Sequence, residues 1–279
     1  MTREVGPHGL RRGAIGDRET GIDRAPDAVW RCALLPDIHG NLPALEAVLE
    51  DVARLGVDAA YHLGDLVGYA PWPDEVVARL VEEGIAGVAG NYDSTVAVEA
   101  EHCGCRAENP AQEALAHESY AWTLARVSAE TKARLRALPF RIDVRPGGGH
   151  RSGSTLRLIH GAPTLNTLYW DQSRHDDFAR KMAAKLGAAA GDAVAFGHTH
   201  IPWKRTVDEV LFVNAGSIGR PKDGDPRASW AIATWDGGRF EVDVVRTEYD
   251  VERTAAAILA SDLPADFAED LRRGSTTRE

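Results

Sequence analysis

Three short apolar segments in the first third of the chain, each followed by a polar loop, constrain the fold more than any other feature. They span residues 30–35, 57–63 and 85–89, and each is apolar enough for a buried strand. Helical periodicity follows the first two segments, at residues 42–55 and 74–83. Strand, polar loop and helix in series predict βαβ crossovers and a largely parallel sheet, which places the chain in the α/β class.

The second half of the chain is richer in predicted strands. Two helices are predicted between residues 110 and 138, the second capped by Ser128, and another helix at 174–186. Further strands are predicted at residues 141–144, 155–159, 193–196, 210–213, 230–235 and 240–245. A hairpin turn at Asp236-Gly237-Gly238 is expected to join the last two strands, before two short helical stretches.

Local composition suggests where the folded domain begins and ends. Residues 1–28 are dominated by Gly, Pro, Arg and Asp without apolar periodicity, which predicts a flexible N-terminal arm. Residues 29–273 are predicted to form a single domain, followed by a polar tail at 274–279. With 279 residues, the chain can bury a large core without a stabilising metal or disulfide.

Charge and apolar content argue against several classes of function. The chain has 32 basic and 42 acidic residues and a formal net charge of -10, which does not support general nucleic-acid or anionic-membrane binding. No apolar run is long enough to span a bilayer. The three cysteines, Cys32, Cys103 and Cys105, cannot make a disulfide framework, so the expected location is the cytoplasm.

Residues that commonly bind metals follow the predicted strands. In open α/β sheets, ligands bind beyond the carboxyl ends of the strands, where such loops converge. Each fragment alone is more typical of a turn or of a buried histidine. Five fragments in order favour a shared site; they contain Asp37 with His39, Asp65, Asn91 with Asp93, His160, and His198 with His200.

Together the fragments resemble the signature of the calcineurin-like metallophosphoesterases. The matching motifs are Asp37-Ile38-His39, Gly64-Asp65, Gly90-Asn91-Tyr92-Asp93, His160-Gly161 and Gly197-His198-Thr199-His200, and the resemblance spans roughly residues 34–234. It implies a four-layer αββα sandwich of two mixed sheets. It also implies a first metal held by Asp37, His39, Asp65 and His200, and a second held by Asp65, Asn91, His160 and His198. Asp65 is then the bridging ligand.

The ligand chemistry agrees with two divalent cations. Ions about 3.5 to 4 Å apart can share a carboxylate and a hydroxide, lower the pKa of that water and hold a phosphoryl group for in-line attack. A set of carboxylates, an amide and imidazoles suits Mn, Fe, Co, Ni or Zn better than Mg or Ca. The expected activity is hydrolysis of a small phosphorylated substrate by a metal-bridging hydroxide.

One position departs from the family pattern. Tyr92 stands where the family usually has a histidine that protonates the leaving oxygen or steadies the transition state. A phenol titrates near pH 10 and an imidazole near about 6.5, which favours phosphodiesters over alkyl monoesters as substrates. Asn91, Tyr92 and Asp93 are the candidate catalytic residues, with both a catalytic role and simple packing open for the ring of Tyr92.

Other functions stay open on the same scaffold. By resemblance it also supports phosphoprotein phosphatases and dinucleoside polyphosphate hydrolases. A non-catalytic interaction scaffold is a further alternative, but it predicts lost metal ligands, whereas all seven ligand positions are filled in this sequence.

Residues near the motifs receive simpler interpretations. Asn41 could bond a phosphate oxygen or cap the helix that begins at residue 42, and capping is the predicted role. His62 is expected to lie in the core, and Tyr69 either lines the pocket or anchors its loop. The loop at 214–226 is predicted to lie behind the site without a chemical role.

Overall fold

The computed structural model describes residues 29–105, 109–146 and 153–276. The predicted flexible arm at 1–28 lies outside the described residues, as does the end of the predicted polar tail, 277–279. The strands, in chain order, are β1 (Trp30–Leu35), β2 (Ala59–His62), β3 (Ala86–Gly87), β4 (Ile142–Val144), β5 (Leu156–Leu158), β6 (Ala193–Phe196), β7 (Trp203–Val207), β8 (Val210–Asn214), β9 (Ala228–Trp235) and β10 (Phe240–Thr247). The helices are α1 (Leu42–Leu55), α2 (Pro73–Glu82), α3 (Asn91–Ala97), α4 (Pro110–Arg126), α5 (Ala129–Arg136), α6 (Asp176–Leu186), α7 (Val251–Leu259) and α8 (Asp266–Arg273).

The strands form two mixed five-stranded sheets. The first has the order β10-β9-β1-β2-β3, in which β1, β2 and β3 are parallel and β9 runs antiparallel to β1 and β10. The second has the order β4-β5-β6-β8-β7, with a parallel centre of β5, β6 and β8 and an antiparallel strand at each edge. The βαβ pattern predicted parallel strands in the first part of the chain, and the parallel pairing of β1, β2 and β3 confirms this prediction.

The side chains of β1 show how the first sheet is buried on both faces. Ala33 and Leu35 belong to a core that includes apolar residues of α1, α2 and α8. Cys32 and Leu34 point to the other face, into a core shared with strands of the second sheet. Alternation along a strand sends neighbouring side chains to opposite faces, so both faces of this sheet are covered.

The second sheet is covered in the same way. Ala195 of β6 lies in the core between the sheets, whereas Phe196 points to a third core that contains Met182 of α6. The order of layers is therefore helix, sheet, sheet, helix. This confirms the expected four-layer αββα sandwich.

Helix α1 shows how local sequence fixes an element next to the strand ends. The side chain of Asn41 accepts a hydrogen bond of 3.3 Å from the backbone N–H of Ala44, and also one of 2.9 Å from the hydroxyl of Thr254. Gly56 ends the helix with a φ of 64°, a conformation that glycine adopts without a Cβ penalty. The predicted capping role of Asn41 is confirmed.

Two elements were not predicted from the sequence. Strand β7 is short, and its hairpin with β8 turns at Asp208 and Glu209, whose φ angles are 48° and 61°. Such turns usually carry Asn-Gly or Asp-Gly, so this sequence gives little signal for a hairpin. Helix α3 begins at Asn91, inside the segment that was predicted to be a polar loop.

No helix among residues 29–105, 109–146 and 153–276 is both long enough and apolar enough to cross a membrane.

Candidate metal centre

A first group of side chains combines residues that follow strands of both sheets. Asp37 and His39 follow β1, and His200 follows β6. One potential ligand atom from each of the three lies within 4.8 Å of the other two, and all three residues are buried. Nε2 of His200 is 3.4 Å from Oδ1 of Asp37 and 3.1 Å from Nε2 of His39. The first sheet and the second sheet therefore jointly build this group.

A second group lies at the same strand ends. Asp65 follows β2, His160 follows β5 and His198 follows β6, and their potential ligand atoms also lie within 4.8 Å of one another. Oδ1 of Asn91 is 3.1 Å from Nε2 of His160. The amide nitrogen of Asn91 donates a 3.1 Å hydrogen bond to the carbonyl of Cys103, which fixes the orientation of the amide. The structure thus brings Asn91 to this group with its oxygen turned towards the histidine.

Asp65 lies between the two groups. Its Oδ2 atom is 3.7 Å from Nε2 of His39 in the first group and 3.5 Å from Nε2 of His160 in the second. Its other oxygen, Oδ1, accepts a 2.9 Å hydrogen bond from the backbone N–H of Tyr92. One carboxylate is therefore oriented so that a single oxygen reaches both groups.

Three histidines are held in one tautomer by backbone carbonyls. Nδ1 of His39 donates to Val67 at 3.0 Å, Nδ1 of His160 to Leu63 at 2.8 Å, and Nδ1 of His200 to Arg220 at 2.6 Å. A carbonyl oxygen only accepts, so each Nδ1 carries a proton, and in its neutral form each ring presents the lone pair of Nε2. Hydrogen bonds of this kind are typical of metal-binding histidines.

The facing nitrogens test whether the site fits cations. With both rings neutral, Nε2 of His39 and Nε2 of His200 direct lone pairs at each other over 3.1 Å, with no proton between them. Nε2 of His160 lies 3.2 Å from Nδ1 of His198. A cation placed between His39 and His200 would convert their repulsion into coordination, and imidazole with carboxylate is a suitable donor set for a transition metal. The residues present fit two such ions.

Burial shifts the pKa values of the centre. It lowers the pKa of His39 to about 4 and raises that of Asp37 well above its ordinary value. Burial also acts to lower the pKa of His160, but the adjacent Asp65 carboxylate outweighs it and raises the value to about 10. Burial acts to raise the pKa of Asp65, yet His160 and His39 hold it below its ordinary value. Without a cation, the positive charge that stabilises the Asp65 carboxylate comes from protonated histidine.

Unusual backbone conformations concentrate at the same residues. Among the described residues, positive φ angles at non-glycine positions include five of the seven candidate ligands, at 46° to 68°. Such conformations cost on the order of 1–3 kcal/mol each and are typical of functional sites. The five are Asp37, His39, Asp65, His198 and His200.

Two glycines of the motifs are required because a candidate ligand residue lies too close to leave room for a side chain. A Cβ on Gly90 would collide with the carboxylate and backbone nitrogen of Asp65, and one on Gly197 would collide with the carboxylate of Asp37. The absent side chains let the loops after neighbouring strands come together. The glycines of these motifs therefore position the carboxylates.

Tyr92 lies beside the centre, fully buried. Its hydroxyl is 3.3 Å from Oγ of Ser119, and its ring makes a tilted contact with Tyr69 and an edge contact with His39, at centroid distances of 5.1 and 5.7 Å. Burial and then the neighbouring Tyr69 raise its pKa well above 10. The contacts favour the packing interpretation of the ring.

Asp93 holds two loops together. Its Oδ1 atom accepts the backbone N–H of Leu66 at 2.8 Å, and Oδ2 accepts that of Gly90 at 3.0 Å. Burial and the nearby Asp65 carboxylate raise its pKa to about 7. These bonds connect the loop of Asp65 to the start of α3, so Asp93 holds these two segments in position relative to each other.

The cysteines near Asn91 differ from the sequence expectation. Cys103 and Cys105 form a disulfide across one intervening residue, although a disulfide framework was not predicted. Asn91 contacts both cysteines, through the carbonyl of Cys103 and, at 3.5 Å, through Sγ of Cys105. The segment that contains Cys103 and Cys105 therefore lies next to the second group in space. The spacing of residues in the sequence does not reveal this contact. Cys32 is free and buried.

A cleft of about 630 Å³, its open mouth included, lies over both groups. The aromatic residues Tyr69, Tyr169 and Phe267 line it, which agrees with a pocket role for Tyr69. Arg220 and Lys222 line it too, so the interpretation of the loop at 214–226 as lying behind the site was wrong. The signal that could have revealed them is a pair of cations in a Gly- and Pro-rich loop of an acidic chain.

His62 keeps the role predicted for it. It is buried, and burial lowers its pKa to about 3. A Cβ on the neighbouring Gly87 would collide with its ring, so the residue is closely packed in the first sheet.

Comparison with known families and curated proteins gives a consistent picture. A model of the calcineurin-like phosphoesterase superfamily domain matches residues 31–238. An uncharacterised protein of Methanocaldococcus jannaschii is 27% identical over 263 residues, covering 87% of this chain and 97% of the relative. The phosphodiesterase YfcE of Escherichia coli is 28% identical over 200 residues, covering 68% of this chain and 80% of the relative.

Solved structures share the architecture. A metallophosphoesterase from Sphaerobacter thermophilus is 29% identical and superimposes with a TM-score of 0.68, covering 88% of this chain and 100% of the other. A hypothetical protein from Pyrococcus horikoshii is 22% identical and gives a TM-score of 0.72 over 88% of this chain and 99% of its own. The second likeness supports the fold alone.

Proposed function

Since the chain belongs to the calcineurin-like phosphoesterase superfamily, a family of metal-dependent phosphoesterases, we propose that it hydrolyses phosphodiesters at a dinuclear metal centre. The observation that carries the proposal is the position of Asp65. A single carboxylate oxygen lies 3.7 Å from His39 and 3.5 Å from His160, which belong to different groups. A bridging ligand requires such a position.

The proposed ligands fall into two sets that share Asp65. The first metal is assigned to Asp37, His39, Asp65 and His200, and the second to Asp65, Asn91, His160 and His198. The distances among the ligand atoms of each group support this division. The ions proposed are Mn, Fe, Co, Ni or Zn, because imidazole ligands are less suited to Mg or Ca.

Backbone groups around the centre have defined roles in this proposal. Two bound divalent ions would lower the pKa of a shared water and neutralise charge on the phosphoryl group. The carbonyls of Val67, Leu63 and Arg220 hold the histidine rings in place. The backbone N–H of Tyr92 fixes the orientation of Asp65. Pre-set ligand positions of this kind reduce reorganisation during reaction.

The preference for diesters rests on the surroundings of Tyr92. Its hydroxyl is buried against Ser119, and burial raises its pKa, so it is poorly suited to protonate a leaving group. Hydrolysis of a diester or an aryl ester depends less on protonation of the leaving group than hydrolysis of an alkyl monoester does. The curated relative named a phosphodiesterase supports the same choice.

The complete ligand set argues against a scaffold role, since a scaffold does not need seven converging ligands. The cations Arg220 and Lys222 line the cleft together with His39 and His200, which supports a phosphorylated substrate. A cytoplasmic location stays a prediction.

The test compares bis(p-nitrophenyl) phosphate with p-nitrophenyl phosphate, which share one leaving group. With Mn²⁺-loaded protein we expect kcat/KM to be at least about tenfold higher for the diester. His160→Gln should abolish both activities, and the matched variant His117→Gln, at an exposed position on α4, should retain them. A preference for the monoester would contradict the diester assignment. Absence of hydrolysis with Mn, Fe, Co, Ni and Zn would favour the scaffold.

A further inference from the structure

We propose that Arg220 and Lys222 form an anion subsite at one end of the cleft, which binds a second phosphate group on the phosphodiester substrate. The inference rests on the proposed function and specifies its substrate class. The preferred substrates are diesters in which one substituent carries a terminal phosphate.

Arg220 is held rigidly at the cleft wall. Its guanidinium lies 4.0 Å from the ring centroid of Tyr69 and 5.3 Å from that of Phe267. One of its terminal nitrogens is 3.2 Å from the carboxylate of Asp270, and the side chain is 11% exposed. A guanidinium fixed in this way loses little conformational entropy when it binds a ligand.

The guanidinium retains capacity to donate hydrogen bonds. Within the described part of the chain, its Nε atom is buried without a hydrogen-bond partner. An arginine has five N–H donors in a planar fork that matches phosphate oxygens, and a lysine supplies a compact positive charge. Arg220 and Lys222 line the same cleft as His39 and His200, so both cations face the space above the metal centre.

The subsite lies beside the first metal group. The backbone carbonyl of Arg220 accepts the Nδ1 proton of His200 at 2.6 Å. The ring of Tyr69, which Arg220 covers, has its centroid 4.9 Å from that of His39. The guanidinium is therefore about one aromatic ring away from a metal ligand. This separation suits a second anionic group better than the phosphoryl group that lies on the metals.

The loop that carries both cations is anchored at two points. The hydroxyl of Ser217 and the backbone N–H of Gly219 both donate to the carbonyl of Asp37, at 2.8 and 3.0 Å. The backbone N–H of Gly224 donates to the carbonyl of Gly274, just after α8, at 2.9 Å. The loop thus joins a metal ligand to the C-terminal helix, which fixes the cations relative to the centre.

The opposite end of the cleft has a different character. There the ring of Tyr169 lies 4.4 Å from that of His198. Because both cations belong to the loop beside His200, only one side of the cleft is cationic, and such a cleft binds an asymmetric diester in one orientation. The charged substituent then lies towards Arg220, and the other substituent towards Tyr169.

The test uses two diesters that differ by one phosphate. Thymidine 5′-(p-nitrophenyl phosphate) and the same compound with a 3′-phosphate release the same leaving group. The fully metal-loaded protein should show a kcat/KM about tenfold or more higher for the phosphorylated compound, mainly through a lower KM, because a charge-assisted hydrogen bond is lost without that phosphate.

Variants separate binding from a structural role. Lys222→Met and Arg220→Gln should each reduce kcat/KM several-fold more for the phosphorylated diester than for its partner. Lys181→Met, at an exposed position on α6, should leave the ratio between the two substrates as it is in the unaltered protein. A purely structural role would lower both activities equally and leave the ratio unchanged in all variants.

Failure of the subsite is distinguishable from failure of the proposed function. Equal kcat/KM values for the two thymidine diesters, with bis(p-nitrophenyl) phosphate still hydrolysed, would overturn the subsite alone. Loss of hydrolysis for all three diesters in metal-loaded protein would overturn both.

Discussion

The backbone N–H of Tyr92 donates a 2.9 Å hydrogen bond to Oδ1 of Asp65. The bond leaves Oδ2 as the oxygen that faces His39 and His160. The residue that departs from the family motif therefore supports the centre through its main chain, which any amino acid except proline could supply. The phenol itself points to Ser119.

Removing the Tyr92 hydroxyl tests this division of roles. Tyr92→Phe keeps the ring and the backbone N–H, so diester turnover should stay within about threefold of the unaltered protein. Loss of the hydrogen bond to Ser119 should lower the free energy of unfolding by about 1 kcal/mol. Steady-state kinetics and urea denaturation measure the two effects. A loss of turnover of tenfold or more would show that the hydroxyl contacts the reacting groups.

Gly90 lies so close to Asp65 that adding one methyl group at position 90 should strongly reduce metal binding and activity. Gly90→Ala places a Cβ against the carboxylate and backbone nitrogen of Asp65, which must then move. We expect a loss of bound metal and a fall in turnover of at least about a hundredfold, as for other misplaced reactive groups. The matched variant Gly153→Ala meets no atom within 4 Å and should behave normally. Equal behaviour of the two variants would refute the positioning role.

The buried ion pair of Arg157 and Asp192 predicts a large effect on stability away from the centre. The two side chains are 2.6 Å apart and only 9% and 3% exposed, and Asp192 also accepts the backbone N–H of Thr155 at 2.6 Å. Asp192→Ala leaves a buried guanidinium unpaired and should lower the free energy of unfolding by about 3–5 kcal/mol.

Asp243→Ala provides the control for that prediction, because this carboxylate is 82% exposed and lies 3.4 Å from Lys204. It should change the free energy of unfolding by less than about 1 kcal/mol. Chemical denaturation of both variants gives the comparison. Similar small losses in both would mean that the Arg157 network contributes little.

Removal of metal should destabilise the protein. Binding to the folded state alone adds roughly 4 kcal/mol for an ion present at a thousand times its Kd. For a chain of this size, that is a shift in Tm of about 10 °C. Thermal unfolding with and without a chelator measures the shift, and it should be much smaller in Asp65→Asn, which lacks the shared charge. A full shift in this variant would contradict the bridging assignment.

The family resemblance implied the four layers, and the local pattern of strands and polar loops predicted that the seven candidate ligands converge. Apolar periodicity located β1, α1 and β6, and parallel strands place their following loops at one edge. Motif order then placed Asp37 and His200, which are far apart in the chain, in the same site.

What the sequence did not predict depends on contacts between distant segments. Arg220 faces the cleft because α8 supplies Phe267 and Asp270, about fifty residues later in the chain. The contact of Asn91 with Cys103 depends on how the segment after α3 folds back. Neither contact leaves a periodic pattern, so packing alone reveals them.

The bridging position of Asp65 is tested most directly by anomalous diffraction from crystals of the Mn²⁺-loaded protein, recorded near the manganese absorption edge. We expect two peaks about 3.5 to 4 Å apart, one at each group, with Asp65 bound to both ions. A single peak, or two ions with Asp65 bound to only one of them, would contradict the dinuclear centre bridged by Asp65.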